Sequence, residues 1–184
     1  RNFPKLSLHL LMDDALVDVI GERVDIAVRV ANLQDSNLVA RKLGTLRAQL
    51  CASPSYLAAR GWPQYPADLE RHDWLGGRPH TAAQEVLQLH SNDGQVARVQ
   101  VTSRASATQV TALHSLCVAG WGISIVLSDD DRRALADGRL VPVLPDWRPP
   151  DYDAYAITVR RGEQPAKVRH ALDLLVQHFA TLTV

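Results

Sequence analysis

The chain has 184 residues, 46% hydrophobic and 22% charged, proportions that exclude a disordered segment and are typical of a globular protein with a sizeable core. Its 20 basic and 20 acidic side chains cancel, so it lacks the basic excess with which nucleic-acid-binding domains usually attract phosphates. No apolar run approaches the roughly 20 residues that a membrane-spanning helix requires.

The first part of the chain alternates predicted strands with short helices, which favours an α/β fold with mostly parallel sheets. Hydrophobic residues mark four predicted strands, at 5–10, 24–30, 38–43 and 46–52. Asp13-Asp14 offers an N-cap for a helix between the first two strands. After the fourth strand, a short helix is predicted with Ser53 as its cap, Pro54 as its first residue and Gly61 just past its end.

The middle of the chain, residues 61–95, is richer in Gly, Pro, His and Trp. Weaker strands are predicted near 73–76 and 86–90, and Asn92-Asp93-Gly94 is typical of a hairpin turn. Beyond a strand at 99–103 the alternation of strands and helices resumes. Helices are predicted at about 106–120, 128–138 and from 165 onward, strands at 123–127, 139–144 and 155–159, and a stiff connector at 145–150.

Cys51 and Cys117 are the only cysteines, and both lie in apolar runs. A free thiol in such a run behaves as a small hydrophobic group, so we expect two buried, reduced cysteines rather than a disulfide. Reduced cysteines indicate a reducing compartment, and we therefore expect a cytoplasmic protein.

Catalytic motifs are incomplete throughout the chain. His114 and Cys117 share a helix face at i and i+3, but no second pair completes a metal site. Ser53 lacks the Gly-x-Ser-x-Gly elbow of hydrolases. Gly120-Trp121-Gly122 lacks the third glycine of a dinucleotide-binding loop. We predict that the chain is not an enzyme and has no metal or cofactor.

Seven segments, taken together and in order, carry a family resemblance. They are Val24-Asp25-Ile26-Ala27-Val28-Arg29, Leu38-Val39-Ala40-Arg41-Lys42-Leu43-Gly44, Leu50-Cys51-Ala52-Ser53-Pro54-Ser55-Tyr56-Leu57, Ala119-Gly120-Trp121-Gly122-Ile123, Gly138-Arg139-Leu140-Val141, Leu144-Pro145-Asp146-Trp147 and Lys167-Val168-Arg169. From Phe3 to about Phe179 the chain resembles the effector-binding domain of LysR-type transcriptional regulators.

The resemblance implies a two-lobed α/β fold similar to type II periplasmic binding proteins, with two crossing strands and a ligand cleft between the lobes. On that mapping, lobe I holds residues 1–52 plus 145–184, and lobe II holds residues 53–144. The resemblance also implies a homodimer or higher homo-oligomer that responds to a small-molecule effector.

The sequence departs from the family pattern at its beginning. The resemblance implies a first strand and helix before the segment that matches Phe3-Pro4, and a winged helix-turn-helix before those; the sequence given contains neither. Because that first strand lies inside the family's sheet, the strands at 5–10 and 24–30 would flank a gap with unpaired backbone groups. We expect either a longer protein or a second chain in this position, and DNA binding only through the absent N-terminal domain.

Two helix starts that follow strands are the candidate ligand sites, because free helix N–H groups favour anionic ligands and ligands bind at the carboxyl ends of such strands. One helix begins near Asp13 and the other near Ser106, where Ser106-Ala107-Thr108-Gln109 fits a capping box. The predicted effector-binding residues are Met12, Asp13, Arg29, Ala31, Asn32 and Leu33 toward one side, and Ser106, Thr108 and Gln109 toward the other. Simple capping or solvation remains the alternative role for the polar members.

The four tryptophans are assigned structural roles. Trp121 is expected to be an exposed turn residue or a dimer contact rather than a stacking platform for an effector, and Trp62, Trp74 and Trp147 are expected to pack in the core or at the lobe junction. The alternative function is a periplasmic or secreted solute-binding protein, which shares the implied fold.

Overall fold

The computed structural model describes residues 7–11, 24–30, 39–76, 84–107, 109–127, 129–158 and 165–182. The chain forms two compact units, the first comprising Arg1–Leu46 with Tyr152–Val184 and the second Arg47–Asp151. The predicted boundaries, at 52/53 and 144/145, differ from these by several residues. Residues 49–52 and 147–148 belong to the second unit because each pairs with strands of that unit.

The described secondary structure follows the predicted order with shifted ends. The strands are β1 (Ala27–Val30), β2 (Val39–Leu46), β3 (Gln49–Ala52), β4 (Trp74–Gly76), β5 (Gln84–Ser91), β6 (Val96–Ser106), β7 (Ser124–Val126), β8 (Val141–Pro142), β9 (Trp147–Arg148) and β10 (Tyr152–Thr158). The helices are α1 (Pro54–Arg60), α2 (Val110–Val118), α3 (Asp129–Ala136) and α4 (Ala166–Leu182), and a 3-10 helix spans Pro66–Arg71. None of these helices is both long and apolar enough to cross a membrane.

In the first unit, β10 lies between β1 and β2 and is antiparallel to both. Helix α4 packs on this sheet through a cluster of small and aliphatic side chains, whose buried members are Leu43, Ala154, Ala156, Val168 and Leu172. The same helix makes two ion pairs on the surface, Lys167 with Asp25 at 2.8 Å and Asp173 with Arg41 at 3.2 Å. These exposed pairs add little free energy, so apolar packing holds α4 in place.

The second unit is built on β3, β4 and β7 with a long β5–β6 hairpin. Strand β3 pairs with β7 and β8, and β4 runs parallel to β6. A parallel bridge between Trp74 and Ile123 connects the two groups of strands. Successive strand residues point to opposite faces, and accordingly Trp74 belongs to one hydrophobic cluster and Leu75 to another. Strands β3 and β4 are therefore packed on both faces.

Local signals in the sequence are confirmed at several elements. Helix α1 has Ser53 as N-cap, with its hydroxyl accepting from the Tyr56 N–H, and Gly61 as C-cap with φ of 85°. The hairpin turn lies at 92–94 as predicted. Cys51 and Cys117 are buried free thiols.

Other expectations were wrong. Residues 7–11 form no strand, and Leu8 and Leu10 are 73% and 68% exposed, since no described strand pairs with them. The sheets are not mostly parallel: β4–β6 is the one parallel ladder among the described residues, because β10 pairs with two strands that run against it. The connector at 145–150 contains a strand, β9, and Trp62 is 54% exposed rather than packed.

Candidate ligand-binding site

The carboxyl ends of β4 and β6 meet at one edge of the second unit. Gly76, the last residue of β4, is the register partner of Ser106, the last residue of β6. The Ala107 N–H donates to the Gly76 carbonyl at 3.2 Å, which fixes the chain as it leaves β6. In open α/β sheets the carboxyl ends of strands are where ligands bind. This edge is therefore the candidate site within the second unit.

Helix α2 begins at this edge, but its cap differs from the prediction. Gln109 is the N-cap residue, with φ of −98° and ψ of 126°, and its side chain makes no capping hydrogen bond. Ser106 is not part of a capping box, because β6 continues through it to pair with Gly76. Both side chains are exposed, so their polar groups face solvent at the start of the helix.

Of the nine predicted site residues, three lie in described parts of the chain. Ser106 and Gln109 lie together at the edge just described, and Arg29 lies in β1 of the first unit, where it is register partner of Tyr155. The other six lie outside the described residues: Met12, Asp13, Ala31, Asn32, Leu33 and Thr108.

Two polar residues at the same edge escaped the sequence analysis. Glu85 and Ser103 are half-buried, and the Trp74 indole Nε1–H donates to Glu85 Oε1. Glu85 occupies an inward position on β5, in line with the buried Leu87 and Leu89. A carboxylate where the alternation calls for a hydrophobic residue is the signal that could have revealed it.

A second polar network, centred on Asp73, holds α1, β4 and β6 together. The Asp73 carboxylate pairs with Arg60 at 3.2 Å and with Arg104 at 3.0 Å, and the Asp73 N–H donates to the Tyr56 hydroxyl at 2.8 Å. The Arg104 guanidinium lies 5.8 Å from the ring centroid of Trp121, an exposed turn residue as predicted. Burial raises the pKa of Tyr56. Because the two cations share one carboxylate within the fold, we regard this network as structural.

Helices α2 and α3 are joined by a buried contact between His114 and Asp131. The His114 Nδ1 lies 2.5 Å from Asp131 Oδ1, and the Leu127 N–H donates to Asp131 Oδ2 at 3.0 Å. In the described parts of the chain, no group of three or more His, Cys, Asp or Glu residues could hold a metal ion.

Both cysteine thiols are buried and have raised pKa values. Burial raises the pKa of the Cys51 thiol, and it raises that of Cys117 to about 12. The Cys117 thiol donates to the Cys51 carbonyl at 3.4 Å. Since the thiolate is the nucleophile, both thiols are unreactive near neutral pH.

Comparison with known proteins identifies the relatives of this chain. A family model described as the LysR substrate binding domain matches residues 1–180. The regulator PtxR of Pseudomonas aeruginosa is 35% identical over 97% of this chain and 56% of its own length, and DmlR of Escherichia coli K12 is 35% identical over 98% and 58%. The chain thus spans a little over half the length of these HTH-type transcriptional regulators.

Solved structures of similar fold are also transcriptional regulators. The full-length virulence activator AphB of Vibrio cholerae matches with a TM-score of 0.78 at 30% identity, over 97% of this chain and 60% of that one. The regulatory domain of CrgA from Neisseria meningitidis matches with a TM-score of 0.74 at 29% identity, over 87% and 78%. The mixed α/β fold is thus that of such regulatory domains, which is similar to periplasmic binding proteins, and these relatives are regulators rather than solute-binding proteins.

Proposed function

Because the chain belongs to the LysR substrate-binding domain family, we propose that it senses a small organic effector at the edge formed by β4, β6 and the start of α2. The observation that carries the proposal is the pairing of Gly76 with Ser106 at the carboxyl ends of two parallel strands, directly before Gln109. The exposed Ser106 hydroxyl and Gln109 amide can each donate and accept hydrogen bonds with a ligand. We propose Thr108, predicted from the sequence, as a further effector-binding residue.

Sensing requires that the effector bind one conformation of the protein better than another, since only a difference in affinity shifts an equilibrium. We infer that the two units are the two lobes of a regulatory domain, and we keep Met12, Asp13, Arg29 and residues 31–33 as proposed effector-binding residues. The response then passes through a homodimer or higher oligomer to a DNA-binding domain elsewhere in a longer protein. The zero net charge of the chain supports a separate DNA-binding part.

A thermal-shift screen of metabolites tests the proposal. A ligand present at 100 times its dissociation constant adds about 2.7 kcal/mol to the free energy of unfolding, a shift that such a screen detects. We expect at least one metabolite to stabilise the parent chain, and Gln109→Ala and Thr108→Val each to weaken that stabilisation.

Gln100→Ala is the matched control, since Gln100 is an exposed glutamine of β6 paired with Gln84 rather than with the site. It should respond as the parent does. Unchanged stabilisation in both site variants would show that the effector is held elsewhere, and a screen without any stabilising metabolite would contradict effector sensing itself.

A further inference from the structure

Polar side chains of two strands, β5 and β6, converge on Gly76 at the end of β4. A Cβ at this position would lie 2.5 Å from the Ser103 hydroxyl oxygen and 2.9 Å from Glu85 Oε1, closer than either oxygen tolerates. Glycine therefore lets the two oxygens approach the backbone at the point where β4 ends. The same residue is the register partner of Ser106, so the two oxygens lie at the strand edge proposed to bind the effector.

The Glu85 carboxylate is oriented by a buried donor. Trp74 is 3% exposed, and its indole N–H donates to Glu85 Oε1, while Glu85 itself is only half-buried. The indole has a single N–H and no acceptor, whereas a carboxylate has about four acceptor positions on its two oxygens. The bond to Trp74 thus orients the carboxylate and leaves acceptor positions on its two oxygens.

The chemistry of this pair of oxygens selects its ligand. An ionised carboxylate accepts hydrogen bonds and repels other anions, and the Ser103 hydroxyl both accepts and donates. The strongest partner of such a site is an ammonium group, and the next a hydroxyl, because hydrogen bonds that involve charged groups are about twice as strong as neutral ones.

We propose that Glu85, oriented by Trp74 and assisted by Ser103, recognises an ammonium or hydroxyl group of the effector. The inference rests on the proposed function and narrows it to amino or hydroxylated compounds. A purely structural Glu85 would serve only to satisfy the Trp74 N–H, and it would confer no preference between donor-bearing and anionic ligands.

The test uses ethanolamine, ethylene glycol and acetate as probes of the unliganded chain. Each is titrated to high millimolar concentration, the range in which molecules of a few non-hydrogen atoms bind, at constant pH and ionic strength, while the Trp74 indole N–H signal is followed by nitrogen-15 NMR. We expect saturable shifts of this signal with ethanolamine and, more weakly, with ethylene glycol, and none with acetate. Absence of a saturable shift with ethanolamine, or an equal shift with acetate, would overturn the proposal.

Variants separate recognition from structural support. Glu85→Gln keeps an oxygen that can accept from Trp74 but removes the charge, and it should weaken ethanolamine binding about tenfold. Glu70→Gln, at an exposed glutamate of the 3-10 helix, is the matched control and should bind as the parent does. Ser103→Ala, which leaves the carboxylate in place, should weaken ethylene glycol binding. Undiminished ethanolamine binding in Glu85→Gln would assign Glu85 a structural role alone.

The outcomes also distinguish this inference from the proposed function. Suppose that the metabolite that stabilises the parent no longer binds to Gln109→Ala but binds normally to Glu85→Gln. That result would support the proposed effector site and contradict the proposed role of Glu85. If no metabolite stabilises the parent although ethanolamine binds at Glu85, the result would support a site for ammonium or hydroxyl groups and contradict effector sensing.

Discussion

The two units bury their hydrophobic residues in different ways. The sheet of the second unit carries one hydrophobic cluster on the face of Leu50 and Trp74 and another on the face of Cys51 and Leu75. In the described part of the first unit, the one cluster lies between the sheet and α4. Among the largest fully buried side chains of the described residues, only Ile157 belongs to the first unit.

This difference shows where the described structure is held most tightly. Strands β3 and β4 of the second unit contribute buried residues to both clusters, and strands packed on two faces leave little room for relaxation. In the first unit β1 lies at the edge of the described sheet, and its Val28 and Val30 are 45% and 43% exposed beside Ala156 and Ala154. The candidate ligand site in the second unit is therefore supported by a rigid core, which favours precise positioning of Glu85 and Gln109.

The largest difference between the units should come from identical core truncations. Leu75 of β4 is 1% exposed and packs in a cluster with α2, whereas Leu172 of α4 is 6% exposed and belongs to the one cluster of the described first unit. Both Leu75→Ala and Leu172→Ala remove the same atoms, and such truncations cost about 2–5 kcal/mol. We expect Leu75→Ala near the upper end and Leu172→Ala near the lower end, because the first unit can relax around the cavity.

Urea denaturation of the two variants measures these losses. The rate at which Cys51 and Cys117 react with a thiol reagent reports opening of the second unit, which holds both cysteines. Leu75→Ala should accelerate that reaction more than Leu172→Ala. An equal loss of stability in the two variants would remove the distinction between the units.

A smaller effect is expected from a close backbone approach in the second unit. A Cβ at Gly122 would lie 2.3 Å from the Asp73 carbonyl oxygen, which also accepts the Ile123 N–H at 2.9 Å. Gly122→Ala must therefore separate β4 from the start of β7, and overpacking of this kind costs about 1–3 kcal/mol. We expect the upper end of that range, because the obstructing atom belongs to the backbone.

Gly94→Ala provides the comparison for this substitution. Gly94 has a φ of 89°, and the space where a Cβ would stand is open. Alanine at this position would therefore cause backbone strain but no clash, and would lower the free energy of unfolding by about 1 kcal/mol. Chemical denaturation should rank Gly122→Ala as the more destabilised variant. The reverse order would show that β4 and β7 can move apart at little cost.

The sequence predicted those features whose causes are local. The α1 boundaries depend on Ser53, Pro54 and Gly61, and the hairpin turn depends on residues 92–94, so neighbouring residues suffice to predict them. The family was recognised from motifs spread along the chain, and that resemblance implied the fold. Trp74 was correctly placed in the core, where its apolar ring packs and its N–H finds a partner.

Features that depend on distant residues were missed. Ser106 looked like a helix cap because the sequence does not show that β6 extends to pair with Gly76. The contact between Asp131 and His114, which lies 17 residues earlier, was not predicted at all. The role of Glu85 depends on Trp74, which lies on a strand that pairs with β6 rather than with β5. Such register-dependent contacts are not encoded in any short segment.

The smallest predicted difference between the two units is in how their stability depends on pH. Hydrogen bonding from Lys42 and then from Thr45 lowers the pKa of Asp153 in the first unit. Burial, followed by the charge of Arg60, lowers the pKa of His72 in the second unit. A depressed carboxyl pKa stabilises the fold above the unfolded value of 3.8, and this stability is lost as pH falls through the folded pKa. A histidine with a depressed pKa also lowers the stability as the pH falls, but in a higher range of pH. Below its ordinary value of 6.5 the unfolded chain takes up a proton before the folded chain does, so the free energy of unfolding decreases.

The two units should therefore lose stability in different pH windows. His72→Gln, which keeps a polar partner for the Tyr56 hydroxyl, should reduce the decline in the free energy of unfolding that begins below pH 6.5. Asp153→Asn should leave that window unchanged and reduce the decline that begins below about pH 4. Urea denaturation at a series of pH values measures both slopes. If His72→Gln keeps the parent's slope just below pH 6.5, proton uptake by other groups controls the second unit there, and burial of His72 has no consequence for its stability.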